Sequence, residues 1–446
     1  MEIRPSEIRT PQSVRIEQAA RPDLQDSPPE APAQGCLNDR LAPSPPPPMD
    51  LARASALISE TTGKMEELWR EKPSKWIDNI TINDEGTLFA EGAGETCLIS
   101  ADGSAKGKIS GYSGCVNGLA PGPGNTLFVA TNQGDPDGIF AFDGTTGREK
   151  WHRDAKGDTF FGGVTPSPDG TLFASITPYQ GSSAEDRLVA LDGGSGETAW
   201  QFRAGGRIQG KPLLGPENTV ILGSHDHKLY SLDRKTGKKR WDFDSGGPIA
   251  CGIIHGPDGT IIGITREGSL FAVDGVSGAG KWAVPTGEKG YTSGAPACSA
   301  DGTVFVITPD TEGVLKAFDG RTGALRWEDR REKWVKASLV ADGEGTLYVG
   351  CKDSEKVILY DGATGRVKEE IKVGEQVDAL AYDDERKVLY CGTSDGSVIA
   401  FSRPGAGEPA ENVTAEAPGN GRPELQDEED FIVIDSLRLP KKKQGL

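Results

Sequence analysis

The stretch Ala141-Phe-Asp-Gly-Thr-Thr-Gly-Arg-Glu-Lys-Trp151 decides the fold, because its frame returns down the chain. In each full copy a glycine follows the aspartate by four residues and a tryptophan follows it by eight. The five full copies, called Asp boxes below, begin at Asp143, Asp192, Asp233, Asp274 and Asp319. A sixth copy, at Asp361, has Glu369 in place of tryptophan, and a looser one begins at Asp102. The copies recur every 41 to 49 residues, a period that favours a propeller whose blades are four short strands.

Each part of the Asp box predicts part of a hairpin. Alternating residues before the aspartate, as at 228–232, are typical of a strand. Aspartate followed by small residues and glycine predicts a tight turn, because the carboxylate bonds nearby backbone and glycine accepts a positive φ. The tryptophan falls in the next strand, where its ring is expected to pack between neighbouring sheets rather than contact a ligand. A single blade cannot bury both faces, so the copies are expected to stack.

Eight short units, each a turn followed by an apolar strand, predict eight blades. They lie at residues 85–89, 124–128, 169–173, 217–221, 258–262, 301–305, 344–348 and 385–389. The last unit runs to Phe401 and then loses the pattern, whereas residues 61–69 resemble the second half of an Asp box without its first half. We therefore expect a strand near the N-terminus, ending in Trp69, to complete the last blade and close the ring.

Composition sets the domain boundaries. Residues 1–48 are rich in proline and charge, cannot bury a core and are predicted to be a disordered tail, either a linker or a ligand for a proline-binding module. Residues 49–60 predict a short helix or linker, 61–403 the propeller, and 404–446 an acidic tail with a short hydrophobic motif at 431–439. The predicted fold is all-β: an eight-bladed β-propeller of four-stranded antiparallel blades, closed by an N-terminal strand, with disordered tails at both ends.

Net charge and composition argue against several kinds of partner. The 446 residues carry a formal charge of −18, which argues against nucleic acid. No apolar run is long enough to predict a membrane span, and residues 1–7 lack the apolar core of a signal peptide. The seven cysteines are scattered without a CxxC pair, so free thiols in a reducing compartment are expected. We expect a monomer in a bacterial cytoplasm, with secretion without a cleavable signal as the alternative.

The frame Ala-x-Asp-x-x-Thr-Gly-x-x-x-Trp, preceded by strands such as residues 228–232, resembles the pyrroloquinoline-quinone-type (PQQ-like) repeat of eight-bladed propellers. The resemblance covers residues 61–403, with five intact copies. It implies the propeller fold. That family includes quinoprotein alcohol dehydrogenases and non-catalytic members such as the outer-membrane assembly lipoprotein of the BAM complex, so the resemblance does not by itself imply the cofactor.

The residues themselves favour a protein that is not an enzyme. The resemblance to quinoprotein alcohol dehydrogenases would imply an adjacent cysteine pair over the quinone, and this sequence has no adjacent cysteines. No serine elbow, P-loop or dinucleotide fingerprint is present. His225-Asp-His227 is the only histidine cluster, and no third ligand lies near it in sequence. We therefore predict no catalytic residue, no cofactor and no metal, with a PQQ-dependent oxidoreductase as the alternative.

The loops that lead into the innermost strands are expected to gather at one mouth of the channel. Aligned by unit, most of them begin with an aromatic residue or arginine, the residue types that anchor protein interfaces. The candidate partner-binding residues are Trp76, Tyr112, Phe160, Arg207, Tyr291, Trp334 and Lys336. The alternative is that these side chains fill the channel or pack on adjacent blades. The first interpretation predicts a non-enzymatic interaction platform for a protein or peptide partner; a secreted bacterial effector that binds a host protein is a further alternative.

The C-terminal tail offers a second candidate site. Four acidic residues at 427–430 precede an apolar run, in which Phe431 and Ile434 form the candidate tail motif. An acidic run followed by an aromatic-x-x-aliphatic pattern is typical of a peptide that adds a strand to a partner. The favoured alternative is a strand that packs on the propeller itself, because residues 431–434 would otherwise be exposed.

Overall fold

The structure is a computed structural model. It describes residues 63–110, 112, 115–132, 138–155, 158–159, 163–178, 186–249, 252–287, 295–308, 314–330, 338–403, 431–434 and 437–440. The predictions for residues 1–48 and 49–60, and for most of 404–446, lie outside these ranges. Apart from one turn of 3-10 helix at Pro257–Gly259, every described regular element is a β-strand.

The strands follow one another in blades. The chain enters through β1 (Glu66–Glu71). Blade 1 has β2 (Asn79–Ile82), β3 (Leu88–Gly92), β4 (Glu95–Ile99) and β5 (Ala105–Ile109). Blade 2 has β6 (Cys115–Gly122), β7 (Thr126–Asn132), β8 (Gly138–Asp143) and β9 (Glu149–Asp154). Blade 3 has β10 (Asp158–Thr159), β11 (Val164–Pro166), β12 (Thr171–Pro178), β13 (Arg187–Asp192) and β14 (Thr198–Arg203). Blade 4 has β15 (Leu213–Gly215), β16 (Thr219–Gly223), β17 (Lys228–Asp233) and β18 (Lys239–Asp244).

The second half of the ring repeats the plan. Blade 5 has β19 (Ile253–His255), β20 (Thr260–Ile264), β21 (Ser269–Asp274) and β22 (Gly280–Pro285). Blade 6 has β23 (Ala297–Cys298), β24 (Thr303–Thr308), β25 (Val314–Asp319) and β26 (Leu325–Asp329). Blade 7 has β27 (Ser338–Ala341), β28 (Thr346–Cys351), β29 (Lys356–Asp361) and β30 (Val367–Lys372). Blade 8 has β31 (Val377–Asp383), β32 (Val388–Thr393) and β33 (Val398–Ser402). A hairpin in the tail has β34 (Phe431–Ile434) and β35 (Leu437–Pro440).

Strand pairing confirms the predicted eight-bladed propeller of antiparallel sheets. Within each of blades 1 to 7 the strands pair in chain order, and in blade 3 both β10 and β11 pair with β12. First strands of successive blades contact one another, as β2 does with β6, and β23 does with β27. The contact of β31 with β2 joins the last blade to the first. The first strands therefore surround the axis, and the last strand of each blade lies outermost.

The Asp boxes form the predicted turns. In the first full copy the Asp143 carboxylate accepts hydrogen bonds from the backbone N–H of Thr146, at 2.8 Å, and from its hydroxyl, at 2.8 Å. Gly147 closes the turn at a φ of 68° and donates its N–H to the Asp143 carbonyl. The same carboxylate-to-hydroxyl bond recurs in the other boxes: Asp192 with Ser195, Asp233 with Thr236, Asp274 with Ser277, Asp319 with Thr322 and Asp361 with Thr364. These aspartates therefore shape turns, as the sequence predicts.

The box carboxylates are expected to make the fold less stable in acid. A hydrogen bond from Arg240 holds the pKa of Asp233 at about 2, and one from Arg326 holds the pKa of Asp319 at about 2. The unfolded aspartates have a pKa of about 3.9, so the unfolded chain binds more protons between these values. The stabilisation is therefore present above about pH 4 and is lost as the pH falls through about 2. Urea unfolding across this range should show a steep loss of stability that is shallower in an Asp233→Asn/Asp319→Asn variant; equal slopes would contradict the assignment.

Tryptophans pack most of the blades against the next one. Trp200 is on the outermost strand of blade 3, and its ring lies against Gly237 in the Asp box of blade 4. A Cβ placed on Gly237 would lie 2.5 Å from the Trp200 ring. The same contact recurs for Trp151 with Gly196, Trp241 with Gly278, Trp282 with Gly323 and Trp327 with Gly365. Four indoles also donate a hydrogen bond to the next box: Trp151 to Gly193, Trp200 to Arg234, Trp282 to Gly320 and Trp327 to Gly362. Glycine is thus required both by its φ and by the ring above it.

The N-terminal strand closes the ring, as predicted. β1 pairs with β33 and forms the outermost strand of blade 8. Trp69 lies opposite Ala400, just as Trp151 lies opposite Ala141 in blade 2. Its Nε1 donates to the carbonyl of Ala101 in blade 1, at 2.9 Å. The sheet of the last blade is therefore completed by a strand from the other end of the propeller sequence, which covers the edge that β33 would otherwise expose.

Two details of the predicted register are wrong. The likeness of residues 61–69 to half of an Asp box aligns Gly63 with the box glycine. Glu67 lies opposite Phe401 as Glu149 lies opposite Phe142, so the residue equivalent to the box glycine of blade 2 is instead Met65. The Met65 N–H donates to the carboxylate of Glu369, at 3.0 Å, so the glutamate that stands in place of a box tryptophan holds the start of this strand. In blade 1 the turn closes between Ser100 and Ser104, so the looser copy beginning at Asp102 is a shorter turn.

Candidate partner-binding face

Loops of two kinds lie together at one end of the blades. Crossover loops connect the outermost strand of one blade to the innermost strand of the next, and the turns between second and third strands open at the same end because antiparallel strands reverse direction. We call this end the mouth face. Its crossover loops within the described residues are 72–78, 204–212, 245–249 and 373–376. The Asp boxes lie at the opposite end, which we call the turn face.

A buried aliphatic residue anchors each of these four crossover loops. The anchors are Ile77, Ile208, Ile249 and Val377, each 0% exposed. Three of them pack on a glycine in the second strand of the preceding blade: Ile77 on Gly392, Ile249 on Gly223 and Val377 on Gly350. Because glycine has no side chain at these points, the anchor can lie directly on the backbone. The position of each loop is therefore fixed by packing.

Backbone hydrogen bonds hold the residue just before the anchor in three of the four loops. The carbonyl of Arg207 accepts from the N–H of His225, at 2.9 Å, and the carbonyl of Gln376 accepts from the N–H of Ser394, at 3.0 Å. The carbonyl of Pro248 accepts from the N–H of Arg266, at 2.8 Å. In each pair the donor belongs to the turn between the second and third strands of the blade that the loop enters. The loop is therefore bound to the blade ahead of it as well as to the blade behind it.

In three of the four loops this arrangement presents the residue before the anchor to solvent. Trp76 is 43% exposed and is one of the few large hydrophobic side chains on the described surface. Arg207 and Gln376 are exposed, and Pro248 is half-buried. An exposed tryptophan and an exposed arginine, held on rigid backbone, have the chemistry of interface anchors.

The backbone of the Trp76 loop lies directly against two glycines of the neighbouring turns. A Cβ on Gly92 would lie 1.7 Å from the carbonyl oxygen of Trp76, and one on Gly396 would lie 2.0 Å from that of Ser74. Lys72, at the start of the loop, pairs with Asp395 at 3.0 Å. These contacts fix the backbone of the loop in the position that leaves the Trp76 side chain exposed.

The predicted site residues fall into three groups. Trp76 and Arg207 are exposed on the mouth face. Tyr112 is only 5% exposed: its hydroxyl is 2.6 Å from that of Thr96, and its ring packs on Phe140 and Phe142. Its side chain therefore supports the boundary between blades 1 and 2 and is not presented to a partner. Four candidates lie outside the described residues: Phe160, Tyr291, Trp334 and Lys336.

The tail motif is described at the level of the backbone. Phe431 and Ile434 begin and end β34, which pairs antiparallel with β35, so that Phe431 lies opposite Pro440 and Ile434 lies opposite Leu437. The strand thus has a partner within the tail. Its role as a docking motif stays a prediction.

Sequence reasoning missed Glu91, a buried carboxylate near the mouth face. It lies at the end of β3, is 3% exposed and accepts a hydrogen bond from the side chain of Asn79, at 3.1 Å. Burial, with a smaller contribution from the charge of Asp78, raises the pKa of Glu91 to about 7, although the bond from Asn79 opposes the shift. No sequence signal separates this glutamate from an ordinary strand residue, because its burial depends on the Trp76 loop that covers it.

Replacing Glu91 with glutamine is expected to stabilise the fold at neutral and alkaline pH. The folded pKa of about 7 lies above the unfolded value of about 4.3, so the wild-type fold loses stability as the pH rises from about 4 to 7. Glutamine keeps the bond to Asn79 without the charge. We expect Glu91→Gln to raise the free energy of unfolding by about 1–3 kcal/mol at pH 8 and to leave it nearly unchanged at pH 4. A pH-independent difference in urea unfolding would contradict this.

Metal ligands do not gather on the described surface. Within the ranges given above, no group of three His, Cys, Asp or Glu side chains is placed to hold a metal ion. Asp226, between the two histidines of the cluster at 225–227, instead accepts hydrogen bonds from the N–H of Gly205, at 2.8 Å, and the hydroxyl of Tyr230, at 2.6 Å. No helix in the described part of the chain is long and apolar enough to cross a bilayer.

Comparisons with solved structures agree on the fold. BamB from Moraxella catarrhalis has 20% identity and a TM-score of 0.60, covering 76% of this chain and 100% of that one. A europium-containing methanol dehydrogenase has 13% identity and a TM-score of 0.63, covering 77% and 94%. The quinohemoprotein alcohol dehydrogenase from Comamonas testosteroni has 15% identity and a TM-score of 0.62, covering 81% and 78%. At these identities the likeness is one of fold.

The sequence itself matches one family model. Comparison with curated protein sequences finds no match. The family model described as outer membrane protein assembly factor BamB matches residues 136–262, 225–379 and 311–408, which together span more than half of the chain. The chain therefore belongs to this PQQ-like, BamB-type family of β-propellers.

Proposed function

We propose that this protein is a non-enzymatic platform that binds a protein or peptide partner at its mouth face. The observation that supports the proposal best is the repeated arrangement of the crossover loops, in which a buried anchor fixes the loop and, in three of the four, the preceding residue is exposed. Trp76 and Arg207 supply the kind of side chain that carries most binding energy in interfaces. Because their backbone is already held in place, little conformational entropy is lost on binding. The family description, an assembly factor, favours the same kind of function.

Site-specific photo-crosslinking tests this proposal. A photoreactive phenylalanine analogue placed at Trp76 or Gln376 would report on the mouth face, and the same analogue at Arg148 or Arg366 would report on the turn face. All four positions are exposed. We expect crosslinked partner in cell extract from the mouth positions only. Crosslinks from the turn positions with none from the mouth positions would contradict the proposal.

The structures of methanol and alcohol dehydrogenases among the similar folds favour testing a second function, PQQ-dependent oxidation. The chain's cysteines do not fit the adjacent pair that this function would imply: none is adjacent in sequence. Cys97, Cys298, Cys351 and Cys391 lie on four different blades. Burial also raises the pKa of Cys298 to about 12 and raises that of Cys97, so these thiols are protonated. We therefore assign no reaction step to a quinone.

A titration with PQQ and calcium separates the two functions. The interaction platform predicts no saturable change in quinone absorbance and no rise in melting temperature. A one-to-one absorbance change with oxidation of an alcohol would support the dehydrogenase. We also propose that the protein is cytoplasmic, which cell fractionation tests, and monomeric, which analytical sedimentation tests. For the effector alternative, the same crosslinks should appear with host extract and not with bacterial extract.

The tail hairpin supports a further contact site within this function. β34 and β35 pair with each other, and an isolated two-stranded hairpin is marginally stable in water and has open edges. Deletion of residues 424–446 distinguishes the two interpretations of the tail. A lower melting temperature would support packing on the propeller, whereas loss of partner binding at an unchanged melting temperature would support docking.

A further inference from the structure

The residues on either side of the anchor Ile77 share one exposed side of the mouth face. The N–H of Ile77 donates to the carbonyl of Thr393 in blade 8, at 3.1 Å. The N–H of Asp78 donates the other way, to the carbonyl of Glu91 in blade 1, at 2.9 Å. Consecutive N–H groups that bond in opposite directions are typical of extended backbone, in which alternate side chains lie on the same side. Ile77 is buried, so the exposed Trp76 and Asp78 project from neighbouring points on the solvent side.

The crossover loop before blade 8 shows how an aspartate at this position is neutralised. Asp378 directly follows the anchor Val377, and its carboxylate pairs with the ammonium of Lys352. Lys352 comes two residues after Gly350, the glycine on which Val377 packs. The anchor, the glycine, the lysine and the acid thus form one local unit, in which the lysine belongs to the blade behind the loop.

At blade 1 a serine stands where that lysine would be. Ile77 packs on Gly392, and two residues after this glycine comes Ser394. Among the residues that the structure describes, none forms an ion pair or a hydrogen bond with the Asp78 carboxylate. The acid of the unit is therefore kept at this boundary, whereas the cation that neutralises it in the loop before blade 8 is not.

Neither lysine of loop 72–78 neutralises Asp78. Lys72 pairs with Asp395, at 3.0 Å. Lys75 is exposed and lies in the bend before the extended segment. The chain as a whole has a formal charge of −18, so a cationic group of a partner is attracted towards its surface.

We propose that Trp76, Asp78 and Ser394 form a subsite for an arginine side chain of the partner. This inference rests on the proposed function and names the chemistry of the partner segment. The guanidinium takes the place beside Asp78 that Lys352 takes beside Asp378, and the small side chain of Ser394 leaves room for it. Arginine suits the subsite better than lysine, because a planar guanidinium can pair with a carboxylate and also stack on an indole ring.

The probe is fluorescein-labelled tetraarginine, with tetralysine and uncharged tetracitrulline as controls, in an anisotropy titration. We expect saturable binding of tetraarginine, weaker binding of tetralysine and none of tetracitrulline. Asp78→Asn and Trp76→Leu should each weaken tetraarginine binding about two- to fivefold, the contribution of one ion pair or one cation–π contact at an exposed site. Trp76→Leu should also abolish the preference for arginine over lysine, which a merely structural role of the ring would not affect.

Two further sets of variants serve as controls. Asp84 is exposed at the turn-face end of the same blade, and Asp84→Asn should leave affinity nearly unchanged in about 0.1 M salt, where exposed charges more than about 10 Å apart are largely screened. Ser394→Lys restores the lysine of the unit, so it should occupy Asp78 and weaken binding at least as much as Asp78→Asn does. Ser394→Met, which is long but uncharged, should weaken binding less.

Three results would overturn the proposal: no saturable binding, equal losses in Asp78→Asn and Asp84→Asn, or a preference for arginine that survives Trp76→Leu. If tetraarginine fails to bind while the mouth-face crosslinks persist, the arginine subsite is wrong and the proposed function stands. If tetraarginine binds as expected while the partner crosslinks only at the turn face, the proposed function is wrong and the subsite remains a site for a cationic side chain.

Discussion

Replacing Trp69 with alanine is expected to lower the free energy of unfolding by about 3 kcal/mol, because large-to-small changes at packed aromatic positions cost about 3–5 kcal/mol. The ring of Trp69 packs on Gly103 and lies 5.9 Å from the ring of Tyr390. Its Nε1 bond to Ala101 joins blade 8 to blade 1. The substitution therefore weakens the boundary that closes the ring.

The control lies in the same strand. Leu68 is 53% exposed, so Leu68→Ala should change the free energy of unfolding by no more than about 0.5 kcal/mol. Urea unfolding followed by tryptophan fluorescence and circular dichroism measures both. If the two variants were equally stable, β1 would not form the outermost strand of blade 8 in solution.

A methyl group on a box glycine is expected to have the second large effect. Gly237 has a φ of 67°, and a Cβ there would lie 2.5 Å from the ring of Trp200. The positive φ alone costs about 1–2 kcal/mol in a residue with a side chain, and overpacking adds about 1–3 kcal/mol. We therefore expect Gly237→Ala to lower the free energy of unfolding by about 3 kcal/mol in the same urea assay.

Gly124 separates the two contributions. Its φ of 64° nearly equals that of Gly237, but nothing lies within 4 Å of the position of its Cβ. Gly124→Ala should therefore show only the cost of the backbone conformation, about 1–2 kcal/mol. Equal effects at the two positions would mean that the tryptophan does not pack on the glycine of the next blade.

Most of the fold could be predicted from the sequence, because the residues that form the turn of an Asp box are close together in the chain. An aspartate, a hydroxyl three residues later and a glycine define the turn of the Asp box wherever they recur, and the tryptophan after them marks the blade boundary. Ring closure was predictable from the half box near Trp69. Its register was not, because the N–H of Met65 bonds a glutamate, Glu369, where five other copies have tryptophan.

The candidate site was predictable only in part. The alignment of loops found Trp76 and Arg207, which are exposed, and also Tyr112, which is buried. In the loops of Trp76 and Arg207 an isoleucine follows and takes the buried position; after Tyr112 comes Ser113. An aliphatic residue directly after the candidate residue, rather than the candidate's own aromatic character, thus indicates that the candidate is exposed.

The most direct test of the mouth-face account is amide hydrogen exchange of the protein free and bound to its crosslinked partner. The account predicts slower exchange on binding in crossover loops 72–78, 204–212, 245–249 and 373–376, where loop backbone would become shielded. The Asp-box turns at the opposite end should exchange unchanged. Slower exchange in the Asp-box turns, with the crossover loops unchanged, would contradict the account.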